Sequence, residues 1–285
     1  MLRIVADSSC DLTQKEAQEL GITVMPLGVR FNNDEYQDGI DMDADRFYDL
    51  LEKSDVLPKT IAINAFTYEE QFRALMVNED DQVLCITIGS KLSSSYQNAC
   101  RAAEQFNGRV TVIDSETTCI PYQVIVRQAA RLNKMGTDPH ALITSLQVDV
   151  KRARLVAMLD TLEYLRKGGR ISAVAAAAGK ILGYKPVITI ENGKVDVVGK
   201  ARGLHSAGAL MVKYIEEHNG IDFSMPVSTS YSGHSDYNLQ NWIKSHGDIL
   251  EGHEAEIHES QMGSVVGTHC GPGVVGIAYF SKNEK

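Results

Sequence analysis

The sequence predicts a two-domain α/β protein, with a mostly parallel N-terminal sheet and flanking helices followed by a mixed-sheet α/β C-terminal domain. Three observations predict it. Strand and helix patterns alternate through the first half, the mark of a parallel sheet with helices on its faces. Val83 to Ile88 and Val110 to Ile113 are near-continuous apolar runs, as expected of strands buried on both faces. Asn192-Gly193 between Pro186–Glu191 and Lys194–Val198 is a two-residue hairpin signal, which is antiparallel by construction. At 285 residues the chain is long for one core, and the change of style places a boundary near residue 150, giving domains 1–150 and 151–285.

In chain order, Ile4-Val5-Ala6 is a short strand ending at Asp7-Ser8-Ser9. Thr13 and Glu16 form a capping box opening a helix that Gly21 stops. Thr23 to Val29 reads as one strand. Asp43 caps a helix carrying Phe47, Leu50 and Leu51, and Thr67 with Glu70 repeats the capping-box pattern before Phe72, Leu75 and Met76. Helices are expected over roughly 121–135 and 139–151, the second with Pro139 in its first turn. Ala153 to Leu159, Val227 to Tyr231 and Val274 to Phe280 read as strands, Leu204 to His218 as a helix, and the small-residue run Ala173 to Ala178 as a closely packed helix.

Composition narrows the function. A net charge of -9 argues against a nucleic-acid binder, which needs a basic face. Met1 to Asp7 reads as a strand, with no basic n-region and long apolar stretch, so no signal peptide is expected. No run approaches the ~18 apolar residues of a span, so no stable membrane insertion is expected. Five scattered cysteines without a Cys-x-x-Cys pair read as reduced thiols of a cytoplasmic protein.

No G-x-S-x-G elbow, Walker loop or G-x-G-x-x-G fingerprint is present, and Ala178-Gly179-Lys180 lacks the rest of a phosphate loop. His253-Glu254 and His258 are spaced by five, so the imidazoles would not stack on a helix face and would oppose each other on a strand; no metal is expected. Polar strand ends say more, because ligands of open α/β sheets sit beyond the carboxyl ends of the strands. Ser8-Ser9, Ser90 to Ser95 and Ser115 supply hydroxyls there. The turn Gly89 to Tyr96 leads into a helix, where Ser93 is either an N-cap or an anion donor. Gly267-Thr268-His269-Cys270-Gly271-Pro272-Gly273 predicts an irregular backbone before the last strand, with His269 as a structural residue or a ligand donor. Leu159 to Ser172 ends in Gly168-Gly169-Arg170, which suits either a solvated turn or bidentate recognition of phosphate or carboxylate.

Taken in this order, the segments resemble the DegV family of fatty-acid-binding proteins, from Asp7-Ser8-Ser9-Cys10-Asp11-Leu12 to Gly276. The most specific matches are Leu159 to Ser172, Lys185-Pro186, and Gly267-Thr268-His269 with Gly271-Pro272-Gly273; Pro58-Lys59-Thr60 and Leu92-Ser93 with Tyr96-Gln97 are shorter. The resemblance implies a DegV-like fold with a long-chain fatty acid in a buried tunnel between the domains. It implies Thr60, Ser93 and His269 as the carboxylate donors, with Ile61, Asn64, Ser94 and Tyr122 around them. It also implies a carrier that is not itself an enzyme and needs no cofactor beyond its lipid. Such a carrier hands the acid to an ATP-using fatty acid kinase, and the acyl phosphate feeds phospholipid synthesis. Residues matching Arg170 and Arg202 would face that kinase.

Three stretches depart from the family pattern. Ile61-Ala62-Ile63-Asn64 replaces Ser-Gln-Pro-Ser, Ser93-Ser94-Ser95-Tyr96 replaces Ser-Gly-Thr-Tyr, and Glu116 to Tyr122 replaces a Ser- and Gly-rich stretch. The larger residues of Cys119-Ile120-Pro121-Tyr122 are expected to line or narrow the tunnel. Two alternatives stand beside the carrier reading: a binding protein for another small lipid or anion, and a serine hydrolase using Ser93 and His269.

Overall fold

A computed structural model describes residues 1–172 and 183–283. The helix expected over Ala173 to Ala178 and the Ala178-Gly179-Lys180 segment lie outside the described residues. The first half runs β1 (Leu2–Asp7), α1 (Gln14–Leu20), β2 (Ile22–Met25), β3 (Gly28–Phe31), β4 (Asp34–Gln37), α2 (Ala44–Lys53) and β5 (Lys59–Ile61). It continues with α3 (Ala65–Leu75), β6 (Gln82–Thr87), α4 (Ser95–Ala103), β7 (Val110–Asp114), α5 (Cys119–Lys134) and α6 (Pro139–Arg152). Strands β2-β1-β6-β7 form the expected parallel sheet. The capping box is present: Glu16 N donates to Thr13 Oγ1, Thr13 N donates to the Glu16 carboxylate, and Gly21 ends α1 at φ +68°.

Two local readings are corrected. Thr23 to Val29 is not one strand, because β2 ends at Met25 and β3 begins at Gly28. Pro26 has no N–H for the ladder, and Leu27 N donates instead to Ser8 Oγ at 3.0 Å. Beyond this break β3 joins a small antiparallel sheet, β4-β3-β5, which the polar strand Asp34–Gln37 did not announce. The cap of α3 is Asn64 and not Thr67: Thr67 N donates to Asn64 Oδ1 at 2.9 Å, so Thr67 is already inside the helix.

The second half runs β8 (Ala153–Met158), α7 (Glu163–Lys167), β9 (Tyr184–Glu191), β10 (Lys194–Arg202), α8 (Gly203–Glu217) and β11 (Val227–Tyr231). Then follow α9 (Tyr237–His246), β12 (Ile257–Gln261), α10 (Ser264–Cys270) and β13 (Val275–Phe280). Its sheet has the order β10-β9-β8-β13-β11-β12 and is mixed, since only β11 and β12 run parallel. The hairpin turns at Asn192 and Gly193, both at positive φ as a tight two-residue turn requires. The glycine-rich segment is less irregular than expected. Gly267 to Cys270 are the last turn of α10, and Gly271 at φ +70° ends it.

Helix α5 ties the halves together. Every residue from Cys119 to Ala130 is buried, the signature of a helix enclosed on all sides. It packs on β1 and on β8, β11 and β13, so one apolar core joins Ile4 and Leu84 to Leu155, Ala157 and Phe280. A second core gathers Phe47, Tyr48, Phe72 and Val29, and a third places Met211, Leu239 and Trp242 on the far face of the six-stranded sheet. Removing the α3 cap with Asn64→Ala is expected to cost about 1 kcal/mol, read as a lower urea midpoint. Ligand binding should not change, because Asn64 acts on the helix end.

Candidate functional site

A cavity of about 240 Å³ lies between the carboxyl end of the parallel sheet and one face of the six-stranded sheet. Leu27 and Ile88 reach it from just beyond β2 and β6, Leu155 and Ala157 from β8, and Val265 and Val266 from α10. The hairpin contributes Ile188, Ile190 and Val195, while Val187 packs in the opposite core with Met211. That alternation is the period of two that a strand imposes. At one end the lining becomes polar, with Thr60, Ser93, Ser94, Arg170 and His269.

Thr60, Ser93 and His269 thus line one cavity although they come from separate segments. Thr60 sits in β5, opposite Val29 of β3, and its Oγ1 is 3.1 Å from His269 Nε2. His269 occupies the last turn of α10. Its ring lies close against the chain at Gly168, where a Cβ would fall 2.2 Å from Nδ1. Gly267 and Gly271 bring α10 equally close to its neighbours. Added Cβ atoms there would lie 2.6 Å from the Phe47 ring and 2.4 Å from the Tyr164 ring. Ser93 is half-buried; its Oγ accepts from Ser95 N at 3.3 Å and lies 3.0 Å from Ser95 Oγ. Ser94 is the exposed N-cap residue of α4.

Electrostatics give these groups their chemistry. Burial and the nearby Arg170 guanidinium push the His269 imidazole down from 6.5 to about 4, so it is neutral near pH 7. Its Nδ1 is buried and has no hydrogen-bond partner among the described residues. The half-buried Arg170 donates through Nε to Leu92 O at 3.1 Å and through Nη1 to Gly168 O at 2.6 Å. The guanidinium therefore turns inward to the polar end. Hydroxyls, an imidazole and a guanidinium at the end of an apolar cavity suit an amphiphile with an anionic head. The same end opens onto a surface depression lined by Thr60, His269 and Arg170 together with Lys59, Lys167 and Asp55.

Three of the expected surrounding residues lie elsewhere. Ile61 and Asn64 line a separate hollow with Tyr36 and Gln37; Ile61 alternates with Thr60 along β5, and Asn64 caps α3 beyond the strand. Tyr122 is fully buried in the core; its hydroxyl donates to Ile86 O at 2.6 Å and accepts from Asp7 N at 2.9 Å. Of Cys119 to Tyr122, only Cys119 lines the cavity. Arg202 is exposed at the end of β10, opposite Tyr184 and outside the cavity. Ser9 and Ser115 serve local bonds to Asp7 and Thr117, and Ser8 accepts from Leu27 N and hydrogen-bonds the Asp38 carboxyl. His253 stacks on Phe223 and His258 lies on β12. Sequence reasoning missed Met262, Val265 and Val266, whose apolar run was masked by the expectation of an irregular loop beyond it.

A sequence model of the DegV family, described as an uncharacterised protein family, matches residues 1–282. The chain belongs to the DegV family. Among its DegV relatives, a DegV domain-containing protein of Deinococcus radiodurans is 30% identical over 281 residues, covering 97% of each chain. Another, of Halalkalibacterium halodurans, is 30% identical over 282 residues and 98% of each. Among solved structures, a DegV family protein of Thermus thermophilus studied for fatty acid binding superposes with a TM-score of 0.87 at 28% identity, covering 99% of both chains. A stearic acid-binding protein of Eubacterium ventriosum gives 0.86 at 28% identity, covering 98% of this chain and 97% of that one. DegV of Bacillus subtilis, a fatty acid binding protein, gives 0.83 at 26% identity over 99% of both.

The depressed His269 pKa carries a sign for this DegV chain. The unfolded chain takes up a proton near 6.5 whereas the folded ligand-free protein waits until about 4, so stability falls as pH drops across that window. In the ligand-free protein the imidazole NMR resonances of His269 should titrate near 4. The His269→Gln variant should lose less stability than wild type between about pH 6.5 and about pH 4, measured by urea denaturation.

Proposed function

We propose that this chain is a lipid carrier. It holds one long-chain fatty acid in the cavity, with the carboxylate on Thr60, Ser93 and His269, and presents it to an ATP-dependent fatty acid kinase for acyl phosphate formation. The observation that carries this reading is an apolar cavity ending on Thr60, Ser93, Arg170 and His269. Each buried CH₂ contributes about 0.8 kcal/mol, so the tail supplies the affinity. The head group is a carboxylate that must find donors once out of water. An arriving anion favours the imidazolium, so ligand binding raises the His269 pKa from its ligand-free value of about 4. Arg170 joins the donors in this reading, which the resemblance had assigned to the kinase alone.

The ligand would lie between two lobes, 1–150 and 151–285. Presentation is supported by the opening of the polar end onto the depression with Lys59 and Lys167. Arg202 lies at the matching end of the sheet: Leu159 N donates to Pro186 O, and Lys185 pairs with Asp160, so the open end of the hairpin borders the carboxyl end of β8. A protein of net charge -9 thus keeps cations where a phosphoryl group would arrive. A cytoplasmic setting fits the five free thiols. Among the described residues no helix is long and apolar enough to cross a membrane.

The hydrolase reading is less well supported. His269 Nε2 is engaged by Thr60, and Nδ1 meets no orienting carboxylate among the described residues. Native mass spectrometry of the purified protein should show one fatty acid, released on denaturation. The Thr60→Val and His269→Gln variants should retain about tenfold less when re-equilibrated with oleate, a loss of about 1.4 kcal/mol. Absence of lipid together with no uptake of added oleate or stearate would sink the carrier reading, and a burst of product from a nitrophenyl ester would favour the hydrolase. Arg202→Ala should keep the lipid and lose acyl phosphate formation with the cognate kinase.

A further inference from the structure

Two buried carboxyl groups stand at the opposite end of the helix that carries His269. Asp11 follows β1, and Asp38 follows β4. Gly263 N donates to Asp11 Oδ1 at 2.9 Å. Ser264 donates to Asp38 Oδ1 through its N at 3.0 Å and its Oγ at 2.5 Å. Both acceptor oxygens converge on Gly263, where a Cβ would lie 3.0 Å from Asp11 Oδ1 and 3.2 Å from Asp38 Oδ1. Asp11 and Asp38 are only 8% and 4% exposed, so water does little to separate their charges. Asp11 Oδ2 is buried without a hydrogen-bond partner among the described residues.

We propose that Asp11 and Asp38 are positioning residues of the carboxylate site. They clamp the first turn of α10 to the N-terminal half so that its last turn holds His269 against Thr60. The helix is seven residues long, so its two ends move as one body. Its tight seat against Phe47 and Tyr164 turns a shift at Gly263 into a shift of the imidazole.

The groups that act on the clamp come from several elements. Asp7 and Cys10 act from the β1 end, Cys119 from α5, Cys270 from α10 itself and Tyr48 from α2. Glu16, Asp43 and Glu259 line the hollow outside, with Glu16 paired to Arg127. Burial raises Asp11 from 3.8 to about 8 and also raises Asp38, and each carboxylate discourages ionisation of the other. The unfolded chain ionises these acids near 3.8 whereas the folded chain retains a proton on Asp11 to about 8. Their contribution to stability therefore falls as pH rises across that window. Above about 8 a second charge beside Gly263 strains the clamp.

The ligand readout rests on the carrier reading; a second readout does not. Oleate affinity, from displacement of a fluorescent fatty acid, should fall about fivefold in wild type between pH values of about 7 and about 9. Asp11→Asn keeps an acceptor oxygen and cannot ionise, so it should match wild type near pH 7 and lose the alkaline fall. Asp11→Ala should weaken binding about fivefold near pH 7 and move the NMR titration of His269 in the ligand-free protein upward toward 6.5. An Asp11→Asn variant with the wild-type alkaline fall overturns the proposal, as does a folded Asp11→Ala variant with unchanged affinity and unchanged His269 titration. If Asp11→Ala does not fold, the Asp11→Asn profile decides. If wild type binds no fatty acid at any pH, the carrier reading fails, and the His269 titration alone decides the positioning role.

Discussion

The contact between Thr60 and His269 joins positions 209 residues apart, and the polar end of the cavity depends on it. Neither residue reaches the other by local structure. Thr60 is carried by a three-residue strand of the small sheet, and His269 by a short helix from the far end of the chain. What makes them meet is the depth at which α10 lodges between α2 and α7. That depth is possible because Gly267, Gly271 and Gly168 carry no Cβ at the points of closest approach. Glycine is spent here on proximity, with Gly271 also ending the helix at positive φ.

A second constraint is electrical. The acidic chain collects buried carboxyl groups on one side of α10 and donors on the other. Asp7, Asp11 and Asp38 are all pushed upward by burial, whereas His269 is pushed downward. Both shifts have the same cause, since burial disfavours whichever form is charged. The result is a polar end whose imidazole is neutral near pH 7, with Arg170 as the standing positive charge beside it. Asp7 links the donors to the sheet, because its carboxylate accepts from Ile88 N at 2.7 Å at the start of the turn that carries Ser93.

Much of the architecture was legible. The apolar runs Val83 to Ile88 and Val110 to Ile113, the Thr13–Glu16 box and the Asn192-Gly193 turn each state their structure locally, through solvent exclusion, capping or backbone sign. The failures have local causes too. Thr23 to Val29 looked continuous because apolar pattern outweighed Pro26. Thr67 looked like a cap because Glu70 follows it at capping-box spacing, yet Asn64, three residues earlier, supplies the cap oxygen. Tyr122 looked like tunnel wall because a large residue replaces small ones in the family pattern, yet its hydroxyl is held by Asp7 and Ile86 inside the core.

Sequence alone therefore determined the strand and helix pattern, the parallel and mixed halves, and the candidacy of Ser93, Arg170 and His269, because hydrogen-bonding period and turn chemistry act between near neighbours; Thr60 was named only through the family resemblance. Only the tertiary structure decided which way the side chains turn. It sent Arg170 inward beside His269, Tyr122 into the core, and Ile61 and Asn64 to a separate hollow. It also set Asp11 and Asp38 against Gly263, more than two hundred residues away in the chain. The physical reason is that orientation and ionisation are fixed by packing and desolvation, and both depend on which distant segments share a boundary.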